Sequence, residues 1–242
     1  MKVVIFGLSV SSSWGNGHAT LWRGLLGALG AMGHQVVFYE RDVHYYAAHR
    51  DDWGAPGCRI VLYGELGAVT AQARADVDDC DAALVTSYCP DGVAAARLVL
   101  DSRAPRRIFY DLDTPVTLER LGRGERVEYL PPEGLSGFDL VLSYTGGRAL
   151  DELRERLGAR AVAPLYGSVD PAVHRSAPPD ARFRADLSYL ATYAADRQDG
   201  VERLLIEPAR RRPSLTFLVA GAQYPSGPSG IVWPNNIRLL EH

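Results

Sequence analysis

A loop rich in small residues follows the first apolar run of the chain and ends in a histidine. The loop runs from Leu8 to His18, where a helical pattern begins. Small side chains let a ligand approach the backbone, and the free amides and dipole of a helix N-terminus favour a negative group. The loop therefore predicts a ligand site at Gly15, Asn16 and Gly17. His18 is a candidate catalytic base, because an imidazole at a helix N-terminus stays neutral and can accept a proton from a hydroxyl.

Two other interpretations of this loop remain open. A dinucleotide-binding fingerprint would use Glu40, which ends the second apolar run, but Thr20 stands where that motif has its third glycine. Alternatively, the segment is a surface loop with a glycine-rich helix cap and binds nothing. In that case His18 is a structural histidine.

A second candidate is the segment Ile108–Pro115, in which an apolar strand runs into Asp111 and Asp113. An isolated Asp-x-Asp is typical of a divalent-cation and nucleotide-diphosphate site. The competing interpretation is that Asp113 or, preferably, Thr114 caps the helix that begins at Pro115. Because ligands gather where the strands of open sheets end, we expect Asp111 to face the active site and, as an alternative to His18, to be the group that accepts the proton of a hydroxyl.

Two later strand ends also carry polar side chains. The segment Ser143–Arg148 could contribute the Thr145 hydroxyl to the same site, although a simple glycine-rich turn is the preferred interpretation. The segment Leu190–Arg197 lies where a strand of a second unit meets its helix, and its candidates are Thr192, Tyr193 and Arg197. The arginine could clamp a diphosphate with two hydrogen bonds or simply be a solvated residue at the helix start.

The elements that must position these residues alternate between strand-length apolar runs and stretches with helical periodicity. The predicted strands of the first half are Lys2–Phe6, Gln35–Tyr39, Arg59–Tyr63, Ala82–Thr86, Arg107–Tyr110, Leu140–Ser143 and Ala161–Leu165. The predicted helices between them are His18–Met32, Ala68–Val77, Gly92–Leu100, Pro115–Leu121 and Arg148–Leu157, with Gly33 as a left-handed stop after the first helix. This alternation predicts an α/β protein with a Rossmann-like, doubly wound parallel sheet.

The same rhythm restarts after a proline-containing stretch. We predict an N-terminal domain over residues 1–170, a linker over 171–184, and the start of a C-terminal domain over 185–242. The predicted elements of that second domain are the strand Leu187–Ala191, the helix Asp199–Arg211 and the strands Leu215–Ala220 and Asn236–Leu240. Because its roughly 58 residues fall short of an ordinary domain of ~100–150 residues, we expect it to be incomplete.

Net charge, cysteine count and hydrophobicity limit the partners and the cellular location that we expect. The net charge of -3 and a pI near 6.1 supply no basic field for a phosphate backbone, so we expect no nucleic-acid partner. The odd count of 3 cysteines, at spacings that match no metal site, argues for a reducing cytoplasm. The apolar start of the chain is too short for a membrane span, so none is expected.

Taken in order, these segments resemble the group 1 glycosyltransferases of the GT-B fold, most closely the spore-maturation-protein-like branch. The resemblance rests on Phe6–Gly7 with Gly15–His18, on Gly33–Val36, on Val162–Asp170 and on Asp186–Arg197. It implies transfer of a sugar from a nucleotide diphosphate sugar to an acceptor hydroxyl, in a cleft between two Rossmann-like domains, without a required metal or other cofactor. The Gly15–His18 loop would face the acceptor and the donor phosphates, and Arg197 would lie near the diphosphate.

The resemblance also implies that part of the enzyme is missing from this sequence. The acidic and glycine signature that holds the donor sugar in this family is absent, and Ala191 stands where a glycine is usual. We therefore expect a truncated form with little activity. Two alternatives stay open, a sugar-nucleotide epimerase of the same architecture and a non-catalytic module that binds a nucleotide or sugar.

Overall fold

The computed structural model describes residues 1–226 and 230–240. It divides into two compact units, Met1–Arg175 and Ser176–His242. Residues 227–229 and 241–242 of the predicted second domain lie outside the described residues.

The first unit is built on a seven-stranded sheet in which every pairing is parallel. Its strands are β1 (Lys2–Gly7), β2 (Gln35–Arg41), β3 (Cys58–Tyr63), β4 (Ala82–Thr86), β5 (Arg107–Asp111), β6 (Leu140–Ser143) and β7 (Val162–Pro164). They lie in the order β3-β2-β1-β4-β5-β6-β7. The predicted doubly wound parallel sheet is confirmed.

Helices cover both faces of this sheet. They are α1 (Gly17–Ala31), α2 (His44–Ala47), α3 (Leu66–Asp78), α4 (Gly92–Leu100), α5 (Thr114–Gly122) and α6 (Arg148–Leu157). On one face, Val4 and Phe6 of β1 pack in a core with residues of α3, α4 and α6. On the other face, Val3 and Ile5 of β1 pack in a core with residues of α1. Side chains alternate along a strand, so burial on both faces explains the unbroken apolar run at the start of the sequence.

Apart from shifts of one or two residues at helix ends, two features of the helices in the first unit differ from prediction. The short helix α2 lies in a stretch for which the sequence predicted no element. The prediction that Thr114 caps the fifth helix is wrong, because α5 already includes Thr114 and the N-cap residue is Asp113, which makes no side-chain capping bond. The Thr114 hydroxyl instead lies 2.7 Å from Ser143 Oγ in the interior. The left-handed stop after α1 is confirmed by the φ of 79° at Gly33.

The second unit contains three parallel strands in the order β10-β9-β8, where β8 is Leu187–Leu190, β9 is Phe217–Ala220 and β10 is Ile237–Leu240. One helical stretch joins β8 to β9. It is a 3-10 turn (Ala195–Arg197), α7 (Gln198–Val201), a π-helical segment (Glu202–Ile206) and α8 (Glu207–Arg211).

The sequence predicted a single regular helix in this stretch, and a proline explains why the helix is irregular. Pro208 has no amide hydrogen, and its ring would clash with the carbonyl four residues earlier in a regular α-helix. The wide turn that precedes Pro208 relieves that clash. A 3-10 turn at Ala181–Phe183 also forms within the segment that was predicted as a linker. Within residues 1–226 and 230–240, no helix is both long and apolar enough to cross a membrane.

Candidate functional site

The carboxyl ends of the parallel strands of the first unit meet at one edge of the sheet. There β1 pairs with β2 on one side and with β4 on the other, so the chain leaves the two central strands in opposite directions. Open α/β sheets bind ligands at such a switch point, where the loops diverge and leave a crevice. The loops that end in His18 and Asp113 both begin at this edge.

A hollow of about 550 Å³ opens beside these loops. It is lined by Gly17, His18, Thr20, Leu21, Leu112, Asp113, Tyr144, Gly167, Ser168 and Val169. Of the predicted site residues in the first unit, the structure thus brings Gly17, His18 and Asp113 together around one space. Such a volume matches the usual size of small-molecule pockets.

His18 lies in the first turn of α1 with its two ring nitrogens in different surroundings. Nδ1 is buried without a hydrogen-bond partner among the described residues, and the His18 side chain lines the hollow, which leaves Nε2 as the nitrogen able to meet a ligand there. Burial lowers the pKa of His18, and the nearby carboxylate of Asp113 opposes that shift only in part. The imidazole is therefore neutral near pH 7, as a proton acceptor must be.

Tyr88 packs against this histidine from the loop after β4. The two ring centroids lie 5.3 Å apart, and the Tyr88 hydroxyl donates a 3.2 Å hydrogen bond to Asp113 Oδ2. The backbone φ of Tyr88 is 62°, a left-handed conformation that costs a bulky residue roughly 1–3 kcal/mol. The sequence analysis did not identify Tyr88. Its contact with His18 depends on the order of the strands in the sheet, which neither an apolar pattern nor a motif reveals.

Asp111 lies beneath the hollow and does not line it. Its side chain is fully buried, with Oδ1 accepting bonds from the Asp113 amide at 3.1 Å and the Thr117 hydroxyl at 3.1 Å. Oδ2 has no partner among the described residues, and burial raises the pKa of this carboxyl. The predicted catalytic role of Asp111 stays a prediction, whereas Asp113 is the aspartate that faces the space a ligand could enter.

The loop between β1 and α1 is held by Glu40. One carboxylate oxygen accepts from the hydroxyls of Ser9 at 2.9 Å and Ser11 at 2.5 Å, and the other accepts from the amides of Val10 at 2.7 Å and Ser11 at 2.9 Å. Both oxygens are occupied and the side chain is 1% exposed, so Glu40 has no oxygen free for a ribose. Its position therefore argues against the dinucleotide interpretation. Asn16 is buried too and donates to the Ser9 and Ser12 carbonyls.

Gly15, Asn16 and Thr145, the other predicted site residues of the first unit, do not line the hollow. Gly15 has a φ of 58° and lies under Tyr45, and Thr145 donates its amide to Ser143 Oγ at 3.0 Å. The neighbour of Thr145, Tyr144, is the side chain that lines the hollow. Its ring lies across Gly167, where any side chain would collide with it.

The second unit holds the remaining candidates. Arg197 is exposed and borders a hollow of about 420 Å³, together with Asp196, Gly200 and the strand β8. Thr192 and Tyr193 do not line that hollow, and the Tyr193 amide donates to the Ala222 carbonyl at 2.9 Å. The structure thus brings Arg197 to a hollow but leaves its predicted role untested.

Metal coordination was the other chemistry suggested by Asp111 and Asp113. Among the described residues, no group of three or more histidine, cysteine or acidic side chains is arranged to hold a metal ion. Asp111 Oδ1 accepts two hydrogen bonds inside the protein and Oδ2 is buried, whereas Asp113 Oδ2 accepts a bond from Tyr88.

Comparison with known proteins identifies the fold. No family model matches the sequence, and no curated protein gives a significant match. Solved structures do match. An alpha-glucosyltransferase in complex with UDP and a 13-mer DNA superposes with a TM-score of 0.57 at 16% identity, covering 92% of this chain and 57% of that one. The catalytic domain of Starch Synthase IV from Arabidopsis thaliana, bound to ADP and acarbose, gives 0.59 at 14% identity, covering 100% and 74%.

A third match is the glycotransferase of kitacinnamycin, with a TM-score of 0.55 at 13% identity over 99% of this chain and 70% of that one. At such low identity these similarities establish the Rossmann-like GT-B fold. The chain spans less than two thirds of the glucosyltransferase's length.

The expectation that nucleic acid is excluded as a partner is wrong. It rested on net charge alone, yet a glucosyltransferase of this fold was solved with a DNA containing a modified base. A protein that acts on one group of a nucleic acid needs a local binding surface and not an overall basic charge.

Proposed function

We propose that this chain is part of a sugar-nucleotide-dependent glycosyltransferase of the spore-maturation-protein-like branch, and that the hollow beside α1 receives the acceptor. The observation that carries the proposal is the state of His18. Its accessible nitrogen, Nε2, borders the hollow, and its burial favours the neutral ring. Similarity to three glycosyltransferase structures supports the reaction class.

In the proposed reaction, the acceptor hydroxyl donates a hydrogen bond to His18 Nε2. As the oxygen attacks the anomeric carbon of the donor sugar, the bond from that carbon to the diphosphate breaks and the hydroxyl proton passes to the imidazole. The carboxylate of Asp113 stabilises the imidazolium that forms. The amides of Gly17 and His18, at the start of α1, favour the charge that develops on the leaving diphosphate.

The second unit contributes the residues that we assign to binding of the sugar donor. Arg197 in the second unit is the cation that we assign to the diphosphate, with Thr192 and Tyr193 on the same loop. The chain spans 57% of the alpha-glucosyltransferase. We therefore propose that efficient transfer requires further polypeptide and that the 242-residue chain has little activity by itself.

Replacement of the histidine tests the proposal directly. In the full-length protein, His18→Ala is expected to lower the rate of sugar transfer by ~100-fold or more, measured with a panel of nucleotide sugars and acceptors. The matched control is His34→Ala, because His34 precedes β2 at the opposite edge of the sheet. An unchanged rate for His18→Ala would remove the histidine as the base.

Product analysis separates the alternatives. A glycosyltransferase releases a nucleoside diphosphate and a glycosylated acceptor, whereas an epimerase returns a sugar nucleotide when no acceptor is present. Titration calorimetry of the 242-residue chain with the same sugar nucleotides tests the non-catalytic module, which requires measurable binding without turnover.

A further inference from the structure

The loop after β4 contains a strained residue that the proposed reaction does not yet use. Among the described residues, Tyr88 and Gln223 are the non-glycine residues with a left-handed φ. Glycine or asparagine would adopt this conformation at lower cost. A tyrosine held there indicates that its side chain is needed where the backbone places it, and strained residues of this kind cluster at functional sites.

The Tyr88 side chain contacts three other segments of the first unit. Its ring lies 5.3 Å from the ring of His18, at the start of α1, and 5.2 Å from the ring of Tyr129, in the connection from α5 to β6. Its hydroxyl donates to Asp113 at the start of α5. Because burial and the adjacent carboxylate raise the pKa of Tyr88, the phenol keeps its proton and remains a donor.

Tyr88 has rigid support behind it. The Tyr129 hydroxyl lies 2.8 Å from Thr117 Oγ1, which in turn bonds Asp111 Oδ1 at 3.1 Å. The backbone of Gly92 approaches Tyr129 so closely that a methyl group there would lie 2.7 Å from its Cα. Tyr129 therefore cannot retreat, and the ring of Tyr88 is held between it and the histidine.

We propose that Tyr88 is the positioning residue of this site, and that it holds His18 with Nε2 toward the hollow while it fixes the Asp113 carboxylate beside the ring. The proposal rests on the proposed function for its catalytic consequence. Its geometric content is independent, because it concerns the histidine and not the substrate. A catalytic histidine is commonly oriented by a hydrogen bond to its second nitrogen, whereas here Nδ1 has no such partner among the described residues and ring packing takes that role.

Two variants separate the ring from the hydroxyl. Tyr88→Asn removes both but tolerates the left-handed backbone, so the loop can keep its course. Tyr88→Phe keeps the ring and removes the hydroxyl. Tyr39→Phe is the matched control, because Tyr39 also donates to an aspartate, Asp76 at 2.7 Å, at a place that the hollow does not reach.

The first measurement is NMR titration of the His18 ring in the 242-residue chain. The titratable groups around this ring are Asp113, Tyr88 itself and Tyr144 across the hollow. Tyr88→Asn is expected to shift the His18 signals and to raise its pKa toward the ordinary value, because water reaches the ring. Tyr88→Phe is expected to leave the signals close to those of the wild type, and Tyr39→Phe to leave them unchanged.

The second measurement is transfer by the full-length protein. Tyr88→Asn is expected to lower kcat by at least ~10-fold with little change in the KM of the donor, because a displaced base slows the reaction after binding. If the His18 titration is the same in Tyr88→Asn and wild type, the positioning role is refuted. If Tyr88→Asn fails to fold, Tyr88→Gly, which tolerates the same φ, takes its place. A wild type that transfers no sugar while the His18 signals respond as expected refutes the proposed function but not the positioning geometry.

Discussion

Removing the carboxylate of Glu40 tests whether the loop between β1 and α1 is held by that side chain. Glu40→Ala leaves the amides of Val10 and Ser11 without acceptors, and both residues are at most 4% exposed. Each buried, unpaired donor costs about 1–3 kcal/mol. The two amides together predict a loss of about 4 kcal/mol in the free energy of unfolding. For a unit of this size, that corresponds to a fall in Tm of roughly 8–16 °C.

Glu40→Gln is the informative partner of this variant. Its amide oxygen can still accept from the two backbone amides, and its NH2 group can face the hydroxyls of Ser9 and Ser11, which can rotate to accept. The hydrogen bonds to the loop remain but no longer involve a negatively charged acceptor, so we expect the free energy of unfolding to fall by about 1–2 kcal/mol. Urea unfolding followed by tryptophan fluorescence measures both variants.

Asp186→Ala is the control for lost hydrogen bonds at an exposed site. Asp186 accepts bonds from the Thr216 amide at 2.7 Å and hydroxyl at 2.9 Å, but water can replace it there. We therefore expect a much smaller loss of stability for Asp186→Ala than for Glu40→Ala. The reasoning about the loop is refuted if Glu40→Ala costs no more than this control. A loss of dinucleotide affinity at unchanged stability would instead favour the ribose-binding role for Glu40.

Three further changes have definite expected outcomes. Gly92→Ala forces a methyl group against the backbone of Tyr129 and should cost about 1–3 kcal/mol in urea unfolding, whereas Gly27→Ala, with nothing within 4 Å, should be neutral or stabilising. Because burial raises the pKa of Asp111, its ionisation opposes folding. Relative to Asp111→Asn, the wild type should therefore lose stability as pH rises from the unfolded-state pKa of Asp111 through its folded-state pKa, and thermal unfolding scans of both proteins from pH 4 to pH 8 measure this difference. Gly167→Ala should displace the Tyr144 ring from the hollow and raise the KM of the acceptor while Tm changes little, and an unchanged KM would show that Tyr144 does not contact the acceptor.

Much of the fold could be predicted because it is encoded locally. Strands such as Lys2–Gly7 are buried on both faces and therefore appear as continuous apolar runs, and Gly33 marks a helix end because its φ suits glycine. The composite helix Ala195–Arg211 was only partly predicted, since Pro208 distorts the turn before it without ending the helix. Thr114 was misassigned as a cap, because the helix already includes it and its hydroxyl lies against Ser143 Oγ in the interior.

The site was predictable only where a loop carries its own signal. His18 and Asp113 were found because each follows a strand and begins a helix, and parallel strands bring such positions to one edge. Tyr88 and Tyr129 carry no local signal, because their contacts depend on the strand order that places β4 between β1 and β5. The interior position of Asp111 was not predictable either, because its spacing from Asp113 does not reveal which carboxylate turns inward.

The loops around the hollow are fixed by interactions within the protein before any ligand binds. Glu40 fixes the course of the loop before α1, Tyr88 bridges that loop to Asp113, and the Thr114 and Ser143 hydroxyls join the starts of the next two loops. Loops that are already ordered lose little conformational entropy when a ligand binds, so more of the interaction free energy contributes to affinity and orientation. The strain at Tyr88 is consistent with this interpretation, because a backbone cost in the folded protein is sustained where the fixed position of a side chain matters. Changes in these supporting residues should therefore impair the orientation of His18 even where they leave the residues that line the hollow untouched.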